Sequence, residues 1–364
     1  MGIFRFLLAI SVVFAHCGSI YKIELVGGKL AVQAFYIISG FYMTMILNEK
    51  YIGLNNSYKL FISNRLLRLF PIYWAVLLGT LVTCYWIGIK SEGHTYLTFD
   101  SYKKVEFNYL TFGYLLFTNL FILGQDLLLF MGINAETGTL FFSKNYAATS
   151  PALHTFVFIS PAWTLGLEIL FYMIAPFIVK KRLKIIIITI LSSLLLRFFI
   201  YHYLGFKNDP WTNRFFPTEL IFFLFGYLSY KLYLKMKELT ISKSKILFIF
   251  SILIIFTFSY QYLSLYKPFF SPFLFKELIY FLTVIVSIPF LFIFFKGNNL
   301  DNKIGELSYP IYISHILVAT ICGVLPFTFL KNPMGIVLST IFISFLLNKL
   351  ISDPIDRYRQ SRLI

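Results

Sequence analysis

An all-α bundle of about ten transmembrane helices is the fold that this 364-residue sequence predicts. Composition is the first reason. Hydrophobic residues make up 58% of the chain and charged residues 13%, with a mean hydropathy of +0.77. Soluble domains hold about half apolar and about a quarter charged residues. The same figures exclude disorder, which needs low hydrophobicity. The second reason is the length of the apolar runs. They recur at about 20 residues, the length a helix needs to cross a bilayer, whereas a barrel strand needs about 10. The third is the placement of the cations between those runs.

In chain order the apolar segments fall near 3–21, 29–48, 69–89, 109–131, 162–179, 184–204, 215–235, 246–264, 275–295, 309–330 and 334–352. The first resembles a signal peptide in length. A cation sits inside its start, His16 lies within it and no small-x-small cleavage site follows, so it reads as a retained span. The fourth is interrupted by Asn119, Gly124, Gln125 and Asp126, and charge decides whether it crosses. Cytoplasmic loops accumulate Lys and Arg. With a cytoplasmic N-terminus and 109–131 not crossing, twenty loop cations lie inside and eleven outside; if it crosses, the numbers reverse. Ten spans with both termini cytoplasmic is therefore the expectation. Residues 90–161 then form one long extracytoplasmic segment in which 109–131 is re-entrant, interfacial or packed in the bundle. A loop of that length is usually functional. No repeat or low-complexity linker divides the chain, and no appended soluble domain is expected, so 1–364 reads as a single membrane domain.

The net charge is +16, from 32 Lys and Arg against 16 Asp and Glu. In a membrane protein this reflects cytoplasmic loops facing anionic headgroups, so membrane lipid and not nucleic acid is the expected partner. Cys17, Cys84 and Cys322 lie inside apolar runs and form neither a disulfide framework nor a C-x-x-C pair. The five His residues are scattered without ligand spacing, so no metal site is expected.

Ionisable residues inside spans cost roughly 2.5–3.5 kcal/mol each at mid-depth and point to function. His16, Glu168, Arg197 and His315 stand out, with Arg5 at the cytoplasmic end of the first span. Arg5 and His16 are eleven residues apart. On a helix that separation is about 1100°, roughly 20° past three turns, with a rise of about 16.5 Å. One helix face therefore carries both, at two levels of the membrane. Glu168 and Arg197 fall at a depth similar to His16, so a carboxylate and a guanidinium are expected in its layer. There Glu168 either orients the imidazole or pairs with Arg197. Arg65 and Arg68, three apart, share a face at the cytoplasmic start of the third span. Paired guanidiniums at a helix N-terminus favour phosphate.

Five motifs in order resemble the acyltransferase 3 family of bacterial integral-membrane acyltransferases. They are Arg5 and His16 separated by ten residues; Phe35, Ser39, Gly40 and Phe41 in the second span; and Arg65, Arg68, Pro71 and Tyr73. Then come Trp163, Thr164, Leu165, Glu168, Phe171 and Tyr172, with Pro176 beyond, and last Gly305, Ser308, Tyr309, Tyr312 and His315. The resemblance covers nearly the whole chain. One departure is Gln33, where many members carry an acidic residue.

The resemblance implies transfer of an acyl group, acetyl by default, from acetyl-CoA to a hydroxyl of an extracytoplasmic or lipid-linked glycan. O-antigen, capsule, peptidoglycan or a similar acceptor would serve. It implies a bacterial cytoplasmic (inner) membrane location, acetyl-CoA as donor substrate with no permanently bound cofactor, and activity through the membrane domain alone or with a partner protein. On that reading Arg65 and Arg68 bind CoA phosphates, and Arg5 lines the pantetheine route or orients the thioester. His16 acts as general base or forms an acyl intermediate. Glu168 orients His16 or aligns the acceptor. Ser39, Arg197, Tyr309 and His315 are substrate-side polar groups. The competing class is a transporter or flippase of an anionic lipid-linked saccharide. Its usual inverted repeats and matching broken helices are not evident.

Overall fold

In hydrocarbon every backbone N–H and C=O must be satisfied within its own segment, so apolar runs free of breakers become helices. A computed structural model gives the fold and describes residues 1–52, 57–93, 95, 97–264, 268–270 and 273–362. Residues 94 and 96 of the long 90–161 segment lie outside the described residues. The helices are α1 (Gly2–Cys17), α2 (Gly27–Glu49), α3 (Tyr58–Lys90), α4 (Thr98–Tyr102), α5 (Tyr109–Phe121), α6 (Trp163–Ile178), α7 (Leu183–His202) and α8 (Phe216–Met236). They continue with α9 (Lys243–Ser259), α10 (Phe275–Phe295), α11 (Asn299–Glu306), α12 (Ser308–Val324), α13 (Thr328–Lys331), α14 (Pro333–Leu347) and α15 (Asp353–Ser361). The protein is an all-α polytopic bundle, 75% helical. Among the described residues, eight helical stretches are long and apolar enough to cross a membrane. Two more helices join the bundle: α1, of 16 residues, and α8, whose first turn carries Glu219.

The bundle is organised around α2, which packs on α1, α6, α8 and α10. Its tightest approach is to α8. A Cβ on Gly40 would overlap the Phe223 carbonyl, and one on Gly226 would overlap the Ile37 carbonyl and the Phe41 amide. Small residues at a crossing let two backbones touch, which is how helices gain packing energy in lipid. Ser39, one position before Gly40, is turned about 100° around α2 from that contact.

The start of α1 is anchored by Asp301 of α11. The Asp301 carboxylate accepts from the N-terminal amine at 2.6 Å, from Gly2 N at 2.6 Å and from Ile3 N at 2.9 Å. A carboxylate at a helix N-terminus meets both its free N–H groups and its dipole. The anchor sets the level of Arg5, one turn further on.

Helix α3 corrects an expectation. It begins at Tyr58, with Ser57 Oγ accepting from Leu60 N at 3.3 Å. Arg65 and Arg68 therefore lie two to three turns inside the helix and not at its N-terminus. Any anion they hold is held by guanidinium charge, because dipole effects fall off within the first turn.

Residues 98–162 build a cap. Helix α5 has 13 residues, about 20 Å, short of the roughly 30 Å hydrocarbon core. It ends at Ile122 (φ 66°), and Gly124 (φ 78°) completes the reversal. A short antiparallel hairpin, β1 (Met131–Ile133) and β2 (Leu140–Phe142), follows. The cap has its own apolar centre of Val105, Leu115, Leu128, Ile133, Leu153 and Phe156. Asn119 ties it together: its amide donates to the Leu115 and Phe156 carbonyls at 2.9 and 3.1 Å and accepts from Phe158 N at 3.0 Å. Tyr73 of α3 donates to the Asn119 carbonyl at 2.6 Å, fastening the cap to the bundle.

Replacing Gly40 with Ala must separate α2 from α8. Overpacking of this kind costs about 1–3 kcal/mol, so a thermal melt in detergent should show Gly40→Ala clearly below the parent. Gly113→Ala is the control, since a Cβ there meets nothing within 4 Å. Equal melting of the two variants would refute the close crossing.

Candidate functional site: two cavities sharing a wall

Arg5, Ser39, Arg68, Glu168, Tyr172 and Tyr309 line one cavity, of about 760 Å³, between α1, α2, α3, α6 and α12. Ser39 Oγ donates to Glu168 Oε1 at 2.7 Å, and Tyr172 OH, one turn along α6, donates to the same oxygen at 2.6 Å. Tyr309 OH donates to the Leu69 carbonyl at 2.6 Å. Among the described residues the Arg5 and Arg68 guanidiniums have no hydrogen-bond or ion-pair partner. Two guanidiniums face one carboxylate, so the cavity is short of negative charge. An anionic ligand is what completes such a site.

His16 lines a second cavity, of about 1180 Å³, roofed by the cap. Its ring hydrogen bonds fix a tautomer. His315 Nδ1 lies 2.7 Å from the Tyr312 carbonyl, an acceptor, so it carries the proton. Neutral His315 then presents Nε2 as an acceptor, 3.2 Å from His16 Nδ1. That nitrogen also lies 3.0 Å from the Val12 carbonyl. Facing two acceptors, His16 Nδ1 carries its proton, and His16 Nε2 keeps a lone pair free for a ligand. His315 is fully buried and lines neither cavity.

Val32 and Tyr312 line both cavities. The Tyr312 hydroxyl donates to the Pro161 carbonyl at 3.1 Å and lies 2.8 Å from Thr164 Oγ1. One wall therefore separates a cavity with two unpaired guanidiniums from a cavity that holds the unprotonated Nε2 of His16. That arrangement suits group transfer between two large substrates that never share a pocket.

A family model described as an acyltransferase domain, acyltransferase 3, matches residues 1–349 of the 364. The chain belongs to the acyltransferase 3 family. It is an integral-membrane acyltransferase. No curated protein and no solved structure matches it. The acyltransferase 3 motifs fall on the two cavities: Arg5 lines one and His16 the other, on the same helix. Ser308 and Tyr309 line the arginine cavity, Tyr312 forms the shared wall, and His315 backs His16.

His16, Glu168 and Arg197, expected to converge in one layer, do not contact one another. Glu168 bonds to Ser39 and Tyr172 and lines the arginine cavity, while His16 takes its orientation from His315. Arg197 is 2% exposed and forms an ion pair with Glu219 of α8, with further bonds to the Thr212 and Thr218 carbonyls at 2.7 and 3.0 Å. Equal depth does not set the helix face, and α7 packs on α8. Gln33 donates to both Glu219 oxygens at 3.3 and 3.2 Å. A carboxylate at position 33 would face Glu219 with one guanidinium between two anions, so the amide fits this chain's pair. Arg65 is buried over the Phe61 ring at 6.0 Å and lines neither of these cavities; Arg68 lines the first.

Several site residues were not singled out from sequence: Tyr172, Glu219, His154 and Arg214. Tyr172 was visible as a motif position one turn after Glu168. Glu219 was visible as a carboxylate opening an apolar run. His154 and Arg214 lie in loops, where sequence offers no periodicity to aim them.

The cap carries a carboxylate with a displaced titration, Asp126. Burial pushes the Asp126 carboxyl up from 3.8 to about 6, against the pull of backbone N–H groups at Asp126 and Leu127. Because the folded value lies above the unfolded one, the folded state holds the proton more tightly. Its contribution is full below about pH 4 and is lost as pH rises through about 6. Near pH 7 an ionised carboxylate is buried at a cost on the order of 2–3 kcal/mol. Asp126→Asn should therefore raise the melting temperature near neutrality and bring no gain near pH 4. Destabilisation at neutral pH would show that the ionised form is needed.

Proposed function

We propose that the protein is a membrane O-acyltransferase. It moves an acyl group, acetyl by default, from cytoplasmic acetyl-CoA to a hydroxyl of an extracytoplasmic or lipid-linked glycan. The observation that carries this reading is the pairing of unpartnered Arg5 and Arg68 in one cavity with the free Nε2 of His16 in the next, across the wall of Val32 and Tyr312. Ten spans with both termini in the cytoplasm of a bacterial inner membrane fit the distribution of Lys and Arg. In that orientation the arginine cavity opens toward the donor and the capped cavity toward the acceptor.

Arg5 and Arg68 take the CoA phosphates, and Arg65, one turn before Arg68, adds positive charge from behind. A pantetheine arm spans on the order of 15–20 Å, comparable to the helical rise from Arg5 to His16. Laid along α1, it carries the thioester to the shared wall. Glu168, held by Ser39 and Tyr172, shapes that route and supplies the counter-charge while it is empty. Tyr309 lines the same route.

The acceptor hydroxyl meets His16 Nε2, which takes its proton as the oxygen attacks the thioester carbonyl. The new C–O bond forms, the C–S bond breaks, and the thiolate leaves with CoA and recovers the proton from the imidazolium. During that step His16 Nδ1–H still donates to neutral His315, which steadies the transient charge. His315 is a positioning residue, and Arg197 acts through the fold by its pair with Glu219.

The test follows release of CoA thiol from acetyl-CoA by purified protein in nanodiscs. General-base loss costs about 10²–10⁴-fold, so His16→Ala should lose at least about a hundredfold in turnover. His315→Ala should lower kcat with little change in KM, while Arg5→Gln and Arg68→Gln should raise the KM for acetyl-CoA. Wild-type turnover by folded His16→Ala sinks the mechanism. Folded protein that neither binds CoA nor releases thiol would favour the transporter class.

A further inference from the structure

The histidine cavity is lined by basic side chains whose acidic partners, Asp209 for Arg214 and Glu277 for Lys29, stand outside the lining. Lys29, His154 and Arg214 line it beside His16, and among the described residues no Asp or Glu does. Arg214 is the built element. Its Nε donates to Asp209 Oδ1 at 2.6 Å, and its guanidinium lies 4.2 Å over the Trp163 ring. The other Asp209 oxygen accepts from Tyr146 OH at 3.1 Å, and the Tyr146 ring meets His154 edge-on at 5.1 Å. Asp209 and Trp163 therefore hold the guanidinium plane in place. They occupy one of its nitrogens and one of its faces. Among the described residues the two terminal amino groups make no hydrogen bond, and the side chain keeps 19% of its exposure. Burial and the Arg214 charge hold the His154 imidazole below its usual value, so it stays neutral near pH 7 and leaves Arg214 as the cation with free donors in the wall. Lys29 reaches Glu277 through a single contact at 3.3 Å.

A fixed planar guanidinium with both terminal groups free matches an oxyanion that can accept two parallel hydrogen bonds. Its ordering cost is already met by Asp209 and Trp163, which favours binding by a preorganised group. The CoA phosphates have their own unpaired guanidiniums in the other cavity, so this one answers to the second substrate. Resting on the acyl-transfer reading above, we infer that the acceptor is an acidic saccharide. Its carboxylate or phosphate docks on the free edge of Arg214 while the hydroxyl to be acylated meets His16 Nε2. Neutral glycans lack the group that this edge selects.

The experiment titrates glucuronic acid, glucose 6-phosphate and glucose into the full-length protein in nanodiscs at matched ionic strength. Tryptophan fluorescence reports occupancy, since Trp163 lies directly beneath Arg214. At least one acidic sugar should saturate the signal and glucose should not. Whichever acidic sugar binds assigns the carboxylate or the phosphate. Losing a bidentate, charge-assisted contact should weaken that binding at least about tenfold in Arg214→Gln. Arg214→Lys should fall between, and Lys331→Gln, an exposed cation that lines neither cavity, should bind the sugar as the parent does. CoA binding measured on each sample reports whether the variant is folded. Equal binding of glucose, wild-type affinity in Arg214→Gln, or no sugar binding by protein that still binds CoA would each overturn the inference alone. Failure of the parent to bind CoA would instead bring down the acyl-transfer reading.

Discussion

A charge placed in hydrocarbon must be met by an opposite charge, by hydrogen bonds or by a ligand. That constraint sorts the polar residues of this bundle. Arg197 meets Glu219, Lys29 meets Glu277, and the N-terminal amine meets Asp301. These are closed accounts, and they hold helices together. Among the described residues Arg5, Arg65 and Arg68 are left open; Arg65 sits over the Phe61 ring, while Arg5 and Arg68 both open onto the same cavity. A protein that carries the cost of unpaired guanidiniums across its interior has a use for them. The distinction between structure and site therefore rests on which charges the fold leaves unsatisfied, not on which charges are buried.

The second organising fact is the rigidity of α1. Its start is pinned by three contacts to Asp301, and its far end is held where His16 meets His315. Between those points the helix cannot stretch, so the separation of Arg5 from His16 is a fixed length. Close passage of α2 and α8 through Gly40 and Gly226 does similar work for Ser39, which holds the Glu168 carboxylate. Positions of functional groups in lipid are thus set by backbone contact, where side-chain hydrophobicity gives little discrimination between neighbours.

This division explains what was legible in the sequence. Helix periodicity placed Arg5 and His16 on one face at two levels, and the two cavities lie at those levels. Composition and run length gave the all-α bundle. The run at 109–131 was interrupted by polar residues, and Asn119 proves to be the hydrogen-bonding centre of the cap. What could not be read was azimuth between helices. Run position predicts Arg197 and Glu168 at similar depth, but pairing depends on which helices touch, and the carboxylate that Arg197 meets is Glu219. The start of α3 was also hidden, because residues 58–68 are too polar to count as membrane-crossing yet continue the same helix. His315 looked like a substrate contact, and only the packing of α12 on α1 shows that it stands behind His16.

The shared wall gives the arrangement its logic. An open channel between the two cavities would leak ions and metabolites across the membrane. Tyr312, hydrogen-bonded to Pro161 and set against Thr164, keeps the chambers apart at the level of His16. On the acyl-transfer reading neither CoA nor glycan needs to cross that wall. Only the acyl group must reach the acceptor oxygen, so on that reading the Val32 and Tyr312 side chains must part by about the width of an acyl carbonyl for the C–O bond to form. Tyr312 also supplies the carbonyl that fixes the His315 tautomer, three residues before it on α12. One turn of helix thus serves both as the partition and as the support for the base beside it. On the acyl-transfer reading, partition and base support are joined in neighbouring residues of one helix.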